Sequence, residues 1–289
     1  MEQTASRTAV LVCQGRAAAD GFLATDRFSD PVAIELLDDA ERVVVDQVRA
    51  GSPPDGFAAR SEYEMVRGTS EVMVPRTVAI DAAVRASAAP QAVLLGAGLD
   101  SRAWRMDALA DVTVFEVDHP ASQDDKRRRI GDRQPVCGRL VYAPVDFRND
   151  DLPAALADVG HRASEPTTWV WEGVVPYLTR EAMTSTLAAV AECSAPGSRL
   201  VVNYQAPSLV ATAGRLLNRA IMLLARRTSP MAGEPWRSLW TADQMRQALE
   251  SAGFHVKSDD DLYALRGDLE VSGLSAGSMR NGRVVVAER

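Results

Sequence analysis

Apolar residues in this chain fall into short continuous runs that alternate with stretches of helical periodicity. The runs Ala92–Leu95, Val112–Val117, Leu140–Pro144, Thr167–Trp171, Leu200–Tyr204, Phe254–Lys257 and Arg283–Ala287 are rich in Val, Leu and aromatic residues. Their length and composition predict seven strands. Helices are expected over Thr8–Ala19, Arg60–Ala88, from Pro120 to Ile130, and over Arg180–Cys193 and Thr241–Ala252. Ser29-Asp30-Pro31 predicts the cap of a further helix running to about Leu37. Val43–Val48 continues this helical layer, although its run of three consecutive valines would also suit a strand. Gly51 to Gly56 reads as a loop.

Strand and helix in alternation predict an α/β, Rossmann-like fold, with a mostly parallel sheet and helices on both faces. Residues 1–75 are expected to form an N-terminal helical cap and 76–289 the core. An insertion at 205–240 holds an amphipathic helix, Ala213–Arg226, with Met222, Met231, Trp236 and Trp240 as a candidate apolar lid over the acceptor. Long segments at the ligand end of such sheets are common places for substrate recognition.

The 289 residues suit one large domain or a domain with a cap, and 46% hydrophobic content supplies a sizeable core. A net charge of −7 argues against a nucleic-acid surface. Cys13, Cys137 and Cys193 are few and far apart, which fits reduced thiols better than a disulfide framework or a metal site. The start of the chain has no signal-peptide pattern, and the apolar stretch near Leu216–Ala225 is too short to cross a bilayer. The expectation is a soluble, cytoplasmic protein without a membrane partner.

Candidate chemistry centres on Gln91 to Pro120. A strand enters Gly96-Ala97-Gly98, a helix leaves it, and the next strand ends in Asp118. Glycines there let the backbone turn sharply and let a ligand lie against it. An acid at the tip of the second strand is placed to accept from both hydroxyls of a ribose. The pattern predicts an adenosine-containing cofactor. A dinucleotide fingerprint wants a third small residue and room for a pyrophosphate. Here Asp100 and Ser101 occupy the turn, and the Asp100 carboxylate would repel a diphosphate. It suits S-adenosyl-L-methionine, which carries a sulfonium and an ammonium. An NAD-dependent oxidoreductase and a non-catalytic S-adenosylmethionine-binding protein remain the alternatives.

Three motifs in order, VLLGAGLDSRAWR, FEVDHP and WEGVVPYLT, resemble the leucine carboxyl methyltransferase family, particularly its actinobacterial and polyketide O-methyltransferase-like branch. The resemblance covers nearly the whole chain. It implies an S-adenosylmethionine-dependent O-methyltransferase acting on a small-molecule natural product such as a polyketide, with the last strand antiparallel. It also implies that Arg76 pairs with the carboxylate of the cofactor's methionine part, a grip suited to a guanidinium. Arg67 is a weaker candidate for the same carboxylate, and Arg16, in the N-terminal helix, could face either it or the acceptor.

Other positions complete the expected site. His119 follows the ribose acid. Asp146 and Phe147 follow the third strand, where an acid and the next amide would meet adenine. Glu172, after the fourth strand among Trp169, Trp171 and Val174, reads as a buried acid in need of a cationic ligand, because an unpaired buried carboxylate is costly. Tyr177 could line the site of transfer. Glu172 and Tyr177 are the candidate catalytic residues. Three histidines in the chain leave few general bases, which favours a carboxylate acceptor over a hydroxyl. No metal-ligand cluster is visible, so metal-independent chemistry is expected. Lys126–Arg129 reads as a solvated helix turn.

Overall fold

The computed structural model describes residues 6–147, 149–207 and 236–289. Within them, α1 (Arg7–Ala19), α2 (Asp39–Arg49) and α3 (Phe57–Arg85) precede the sheet. Then β1 (Gln91–Leu95), the short α4 (Arg102–Arg105), β2 (Thr113–Asp118), α5 (Pro120–Ile130) and β3 (Arg139–Pro144) follow. The second half contains α6 (Leu152–Asp158), β4 (Thr167–Trp171), α7 (Arg180–Glu192), β5 (Arg199–Gln205), α8 (Ala242–Ser251), β6 (His255–Asp261), α9 (Leu262–Leu265), α10 (Gly273–Asn281) and β7 (Gly282–Glu288). The expected helix Ala213–Arg226, with Met222 and Met231, lies outside the described residues.

Seven strands form one sheet in the order β3-β2-β1-β4-β5-β7-β6. All pairs from β3 to β5 are parallel, and β7 inserts antiparallel between β5 and β6. This is the Rossmann-like arrangement expected. Every residue of β1 and of β4 is buried, as strands covered on both faces must be, which is why both read as unbroken apolar runs. The sheet separates two apolar clusters. One holds Leu94, Val114 and Val170 with residues of α1, α2 and α3. The other holds Val93, Phe115, Trp169 and Trp171 with residues of α6, α7 and α8.

Register places the site. Leu95 lies opposite Val117, Asp118 opposite Pro144, and Leu94 opposite Val170. The residues following β1, β2, β3 and β4 therefore emerge along one edge. The strand order runs outward in opposite directions from β1 and from β4, and ligands bind at such a switch point.

Two local expectations change. Residues 31–36 form successive turns, not a helix. Ala33 N, Glu35 N and Leu37 N donate three residues back; Asp30 Oδ1 still accepts from Ala33 N as a cap does, while its Oδ2 meets Arg16 and Ser101. The basic run on α5 is not solvated as a whole. Lys126 is 1% exposed, its Nζ lies 2.7 Å from both carboxylate oxygens of Glu116 on β2, and it sits over the Trp104 ring. Arg129 bridges Asp125 and Glu41, tying α5 to α2.

Candidate active site

A cavity of about 1000 Å³ opens at the switch point, large enough for a nucleoside-sized ligand with a second molecule beside it. The turn after β1 forms its floor. Gly96 (φ +65°) and Gly98 (φ +44°) are left-handed, and a Cβ on Gly96 would sit 2.5 Å from Val174 Cγ2. Only glycine fits there. Gly96 N and Ala97 N donate to Val117 O at 2.8 and 3.1 Å, locking the turn onto β2.

Asp118 closes that lock. Its Oδ2 accepts from Gly98 N at 2.6 Å and its Oδ1 from His119 N at 2.7 Å. His119 in turn caps α5, accepting from Ala121 N through Nδ1 at 3.3 Å, with Pro120 pre-set for the first helical turn. Asp146 and Phe147 stand on the turn after β3, where Asp146 accepts from Asn149 Nδ2 at 2.8 Å and donates its amide to Asp150. All these residues, with Gly96, Ala97 and Gly98, line the cavity.

The opposite wall is ionic. Arg76, buried on α3, places Nε 2.7 Å from Glu172 Oε1, off the N–H axis, so the pair is an ion contact and not an aligned hydrogen bond. Arg102 Nη1 donates to Glu172 Oε2 at 2.8 Å. Glu172 is thus no lone acid awaiting a cationic ligand; two arginines from its own chain satisfy it. Burial would raise its pKa, but Arg102 and Arg76 outweigh burial and hold it well below the usual carboxylate range. Burial works in the other direction on Arg76, lowering its pKa against the pull of Glu172.

Behind this wall the charges continue. Arg102 Nε donates to Asp81 Oδ1 at 2.8 Å, and its Nη1 also meets Asp100 Oδ2. Arg105 grips Asp81 with both Nη atoms, at 2.6 and 3.1 Å. Arg16 on α1 donates to Asp30 Oδ2 at 2.8 Å and to Leu99 O at 2.6 Å, while Ser101 Oγ donates to the same Asp30 oxygen. Asp30, Asp81, Asp100 and Glu172 therefore balance Arg16, Arg76, Arg102 and Arg105. Unpaired, each would be prohibitive to bury.

Of the expected residues, Arg76, Gly96, Ala97, Gly98, Asp118, His119, Asp146, Phe147, Glu172 and Tyr177 all reach one cavity, as does Arg16. Arg67 does not; it pairs with Glu64 and Glu71 along α3. Sequence reasoning missed Arg102 and Asp81; Arg102 meets its near neighbour Asp100 but also Asp81 and Glu172, which are distant in the chain. It also missed the contribution of α1 to the cavity through Ala9 and Val12. The far side is formed by Tyr177, Leu178, Thr179, Ala182 and Arg237. The segment before α8 is pinned there by Arg237 N to Pro176 O at 2.7 Å and Ser238 Oγ to Val175 O at 3.2 Å. Among the described residues no cluster of three or more His, Cys, Asp or Glu is placed to hold a metal, and no helix is long and apolar enough to cross a membrane.

Comparison with known proteins gives the same direction. A structure of a "putative methyltransferase" from Thermobifida fusca YX superposes over 99% of this chain and 95% of its own, with a TM-score of 0.58 at 17% identity. A protein of the DUF574 family from Streptomyces avermitilis superposes with a TM-score of 0.56 at 12% identity, over 99% of this chain and 98% of its own. At such identities these establish the fold alone. By sequence, a "Putative S-adenosyl-L-methionine-dependent methyltransferase" of Mycolicibacterium paratuberculosis is 34% identical over 68% of this chain, and one of Streptomyces coelicolor is 41% identical over 51%. The matches span 63% and 52% of those relatives' own lengths. The sequence profile described as leucine carboxyl methyltransferase matches residues 9–191. The chain belongs to the leucine carboxyl methyltransferase family.

Proposed function

We propose that the protein is an S-adenosyl-L-methionine-dependent O-methyltransferase that esterifies the carboxylate of a small-molecule acceptor. The residues fit the cofactor group by group. Asp118 keeps lone pairs for two ribose hydroxyls while its backbone bonds hold it still. Asp146 and the Phe147 amide take adenine, His119 lies beside the ribose acid, and the glycine turn admits the cofactor's backbone-side edge. Arg76 lines the cavity, and its Nε contacts Glu172 Oε1 at 2.7 Å without an aligned hydrogen bond, which supports its guanidinium serving the methionine carboxylate. When bound, the cofactor supplies a methyl group on an electrophilic sulfonium, and the protein's task is alignment.

One observation carries the choice of acceptor: the carboxylates Asp100, Asp118 and Glu172 on the cavity wall, and His119 Nδ1, are already engaged by partners of this chain. Glu172 is held ionised by Arg102 and Arg76, Asp100 is paired with Arg102, Asp118 accepts from two amides, and His119 Nδ1 accepts from Ala121 N. A hydroxyl acceptor would need one of them as a base, whereas a carboxylate arrives ionised. Glu172 accordingly acts by orienting Arg76, and Tyr177 stands where it can hydrogen-bond the acceptor. The family resemblance supports a natural product such as a polyketide acid.

The test is calorimetric titration with S-adenosylhomocysteine and, separately, NAD, followed by methyl-transfer assays on acids paired with their alcohols. Binding of S-adenosylhomocysteine alone and ester formation on acids are expected. Binding of NAD alone would overturn the cofactor, and transfer confined to hydroxyls would overturn the acceptor class.

A further inference from the structure

Two carboxylates that face the cavity, Asp100 and Glu172, are held from behind by one side chain that does not line it, Arg102. Its guanidinium is 3% exposed and joins three elements: α3 through Asp81, the glycine turn through Asp100, and the end of β4 through Glu172. A planar fork can satisfy three carboxylates in fixed directions; an ammonium on a flexible stem cannot. Asp81 is itself clamped by Arg105, so the fork cannot rotate without breaking a second pair.

From this arrangement we infer that Arg102 is a positioning residue for the aminoacyl half of the cofactor, an inference that rests on the methyltransferase reading above. Arg102 sets where Asp100 and Glu172 lie, and Glu172 sets where Arg76 lies. The wall therefore presents negative groups (Asp100, Glu172) next to positive ones (Arg76, Arg16), a pattern complementary to a zwitterion carrying an ammonium and a carboxylate. The adenosine half is met by Asp118, Asp146 and Phe147, none of which touches Arg102. Arg102 thus acts on one half of the ligand and leaves the other alone.

The test compares two soluble probes by calorimetry. S-adenosylhomocysteine carries the aminoacyl group, and 5′-methylthioadenosine lacks it. Arg102→Lys is expected to weaken S-adenosylhomocysteine by at least about tenfold, because two buried carboxylates lose their common partner, while 5′-methylthioadenosine changes little. Asp81→Asn, outside the cavity, loosens the same fork and should give a smaller loss of the same selectivity; it is the deciding variant if Arg102→Lys does not fold by circular dichroism. An equal loss for both probes, or unchanged S-adenosylhomocysteine affinity, would overturn the positioning role. Failure of the wild-type protein to bind either probe would strike the methyltransferase reading instead.

Discussion

Gly98 N donates to Asp118 Oδ2 at 2.6 Å, so the turn after β1 and the acid that ends β2 are one unit. The carboxylate that is proposed to hold the ribose also holds the backbone on which the cofactor rests. Asp118→Asn keeps an acceptor for the Gly98 amide and removes the charge. It should leave the melting temperature close to wild type and weaken S-adenosylhomocysteine by roughly ten- to a hundredfold, the worth of one or two charge-assisted hydrogen bonds. Asp118→Ala additionally frees the turn and should bind no measurable ligand. Unchanged affinity in the Asn variant, measured by calorimetry, would remove Asp118 from the ribose.

Gly96 faces a separate constraint, its φ of +65° together with the 2.5 Å that a Cβ would leave to Val174 Cγ2. Gly96→Ala should cost roughly 2–4 kcal/mol of stability in urea unfolding, from backbone strain plus overpacking. Trimming the neighbour in Gly96→Ala/Val174→Ala should recover the overpacking part and leave the strain. Full recovery in the double variant would show that the left-handed backbone costs nothing here.

These two residues were legible in the sequence because their roles are local: a strand, a tight turn, a helix, and an acid one strand later. Strands β1 and β4 were legible for a related reason, burial on both faces leaving unbroken apolar runs. Strand β6 extends to Asp261, beyond its apolar start, because an edge strand can carry charge. There Asp259 is satisfied by Tyr204 and Arg283, neither of them a sequence neighbour. Arg102 was hidden for the same reason: its partners Asp81 and Glu172 meet it only once the sheet has formed. The acid at position 172 was legible as buried, and its partners were not. Periodicity reports which face of an element is apolar, and it is silent on pairings between elements.

Lys126 makes that point measurable. Within a basic run it would be expected to tolerate change, yet it is buried against Glu116, whose own pKa burial pushes up to about 7 despite the lysine. Lys126→Met strands a carboxyl group in the core and should cost about 3–5 kcal/mol in urea unfolding. Lys126→Met/Glu116→Leu replaces the whole pair by apolar side chains and should recover most of that loss. By contrast Arg127→Met, at a half-exposed neighbour, should fall within about 0.5 kcal/mol of wild type. Similar small effects at both positions would mean that the run is solvated after all.

His161 predicts how the fold responds to acid. Its ring is buried edge-on against Phe115 and close to Trp169, with Nε2 3.0 Å from Thr167 Oγ1. Burial lowers its pKa from 6.5 to about 4, with Glu165 opposing only weakly. Between those values the unfolded chain binds a proton that the folded chain does not, so stability falls as pH drops from 6.5 towards 4. From about pH 7 to about pH 5 the loss attributable to this ring is at most about 2 kcal/mol. Glu172 has the same sign at lower pH. Its pKa is depressed, so its contribution is complete above the ordinary carboxylate value and disappears as pH falls below it. His161→Gln keeps a polar partner for Thr167 and cannot titrate. Its urea-unfolding free energy should be lower than wild type at neutral pH; from neutral pH to about pH 5 it should lose the fall that His161 supplies and keep the opposite slope of Glu116, whose pKa burial raises to about 7, with the acid limb below that retained. A variant whose pH slope matched wild type throughout would place the acid sensitivity elsewhere.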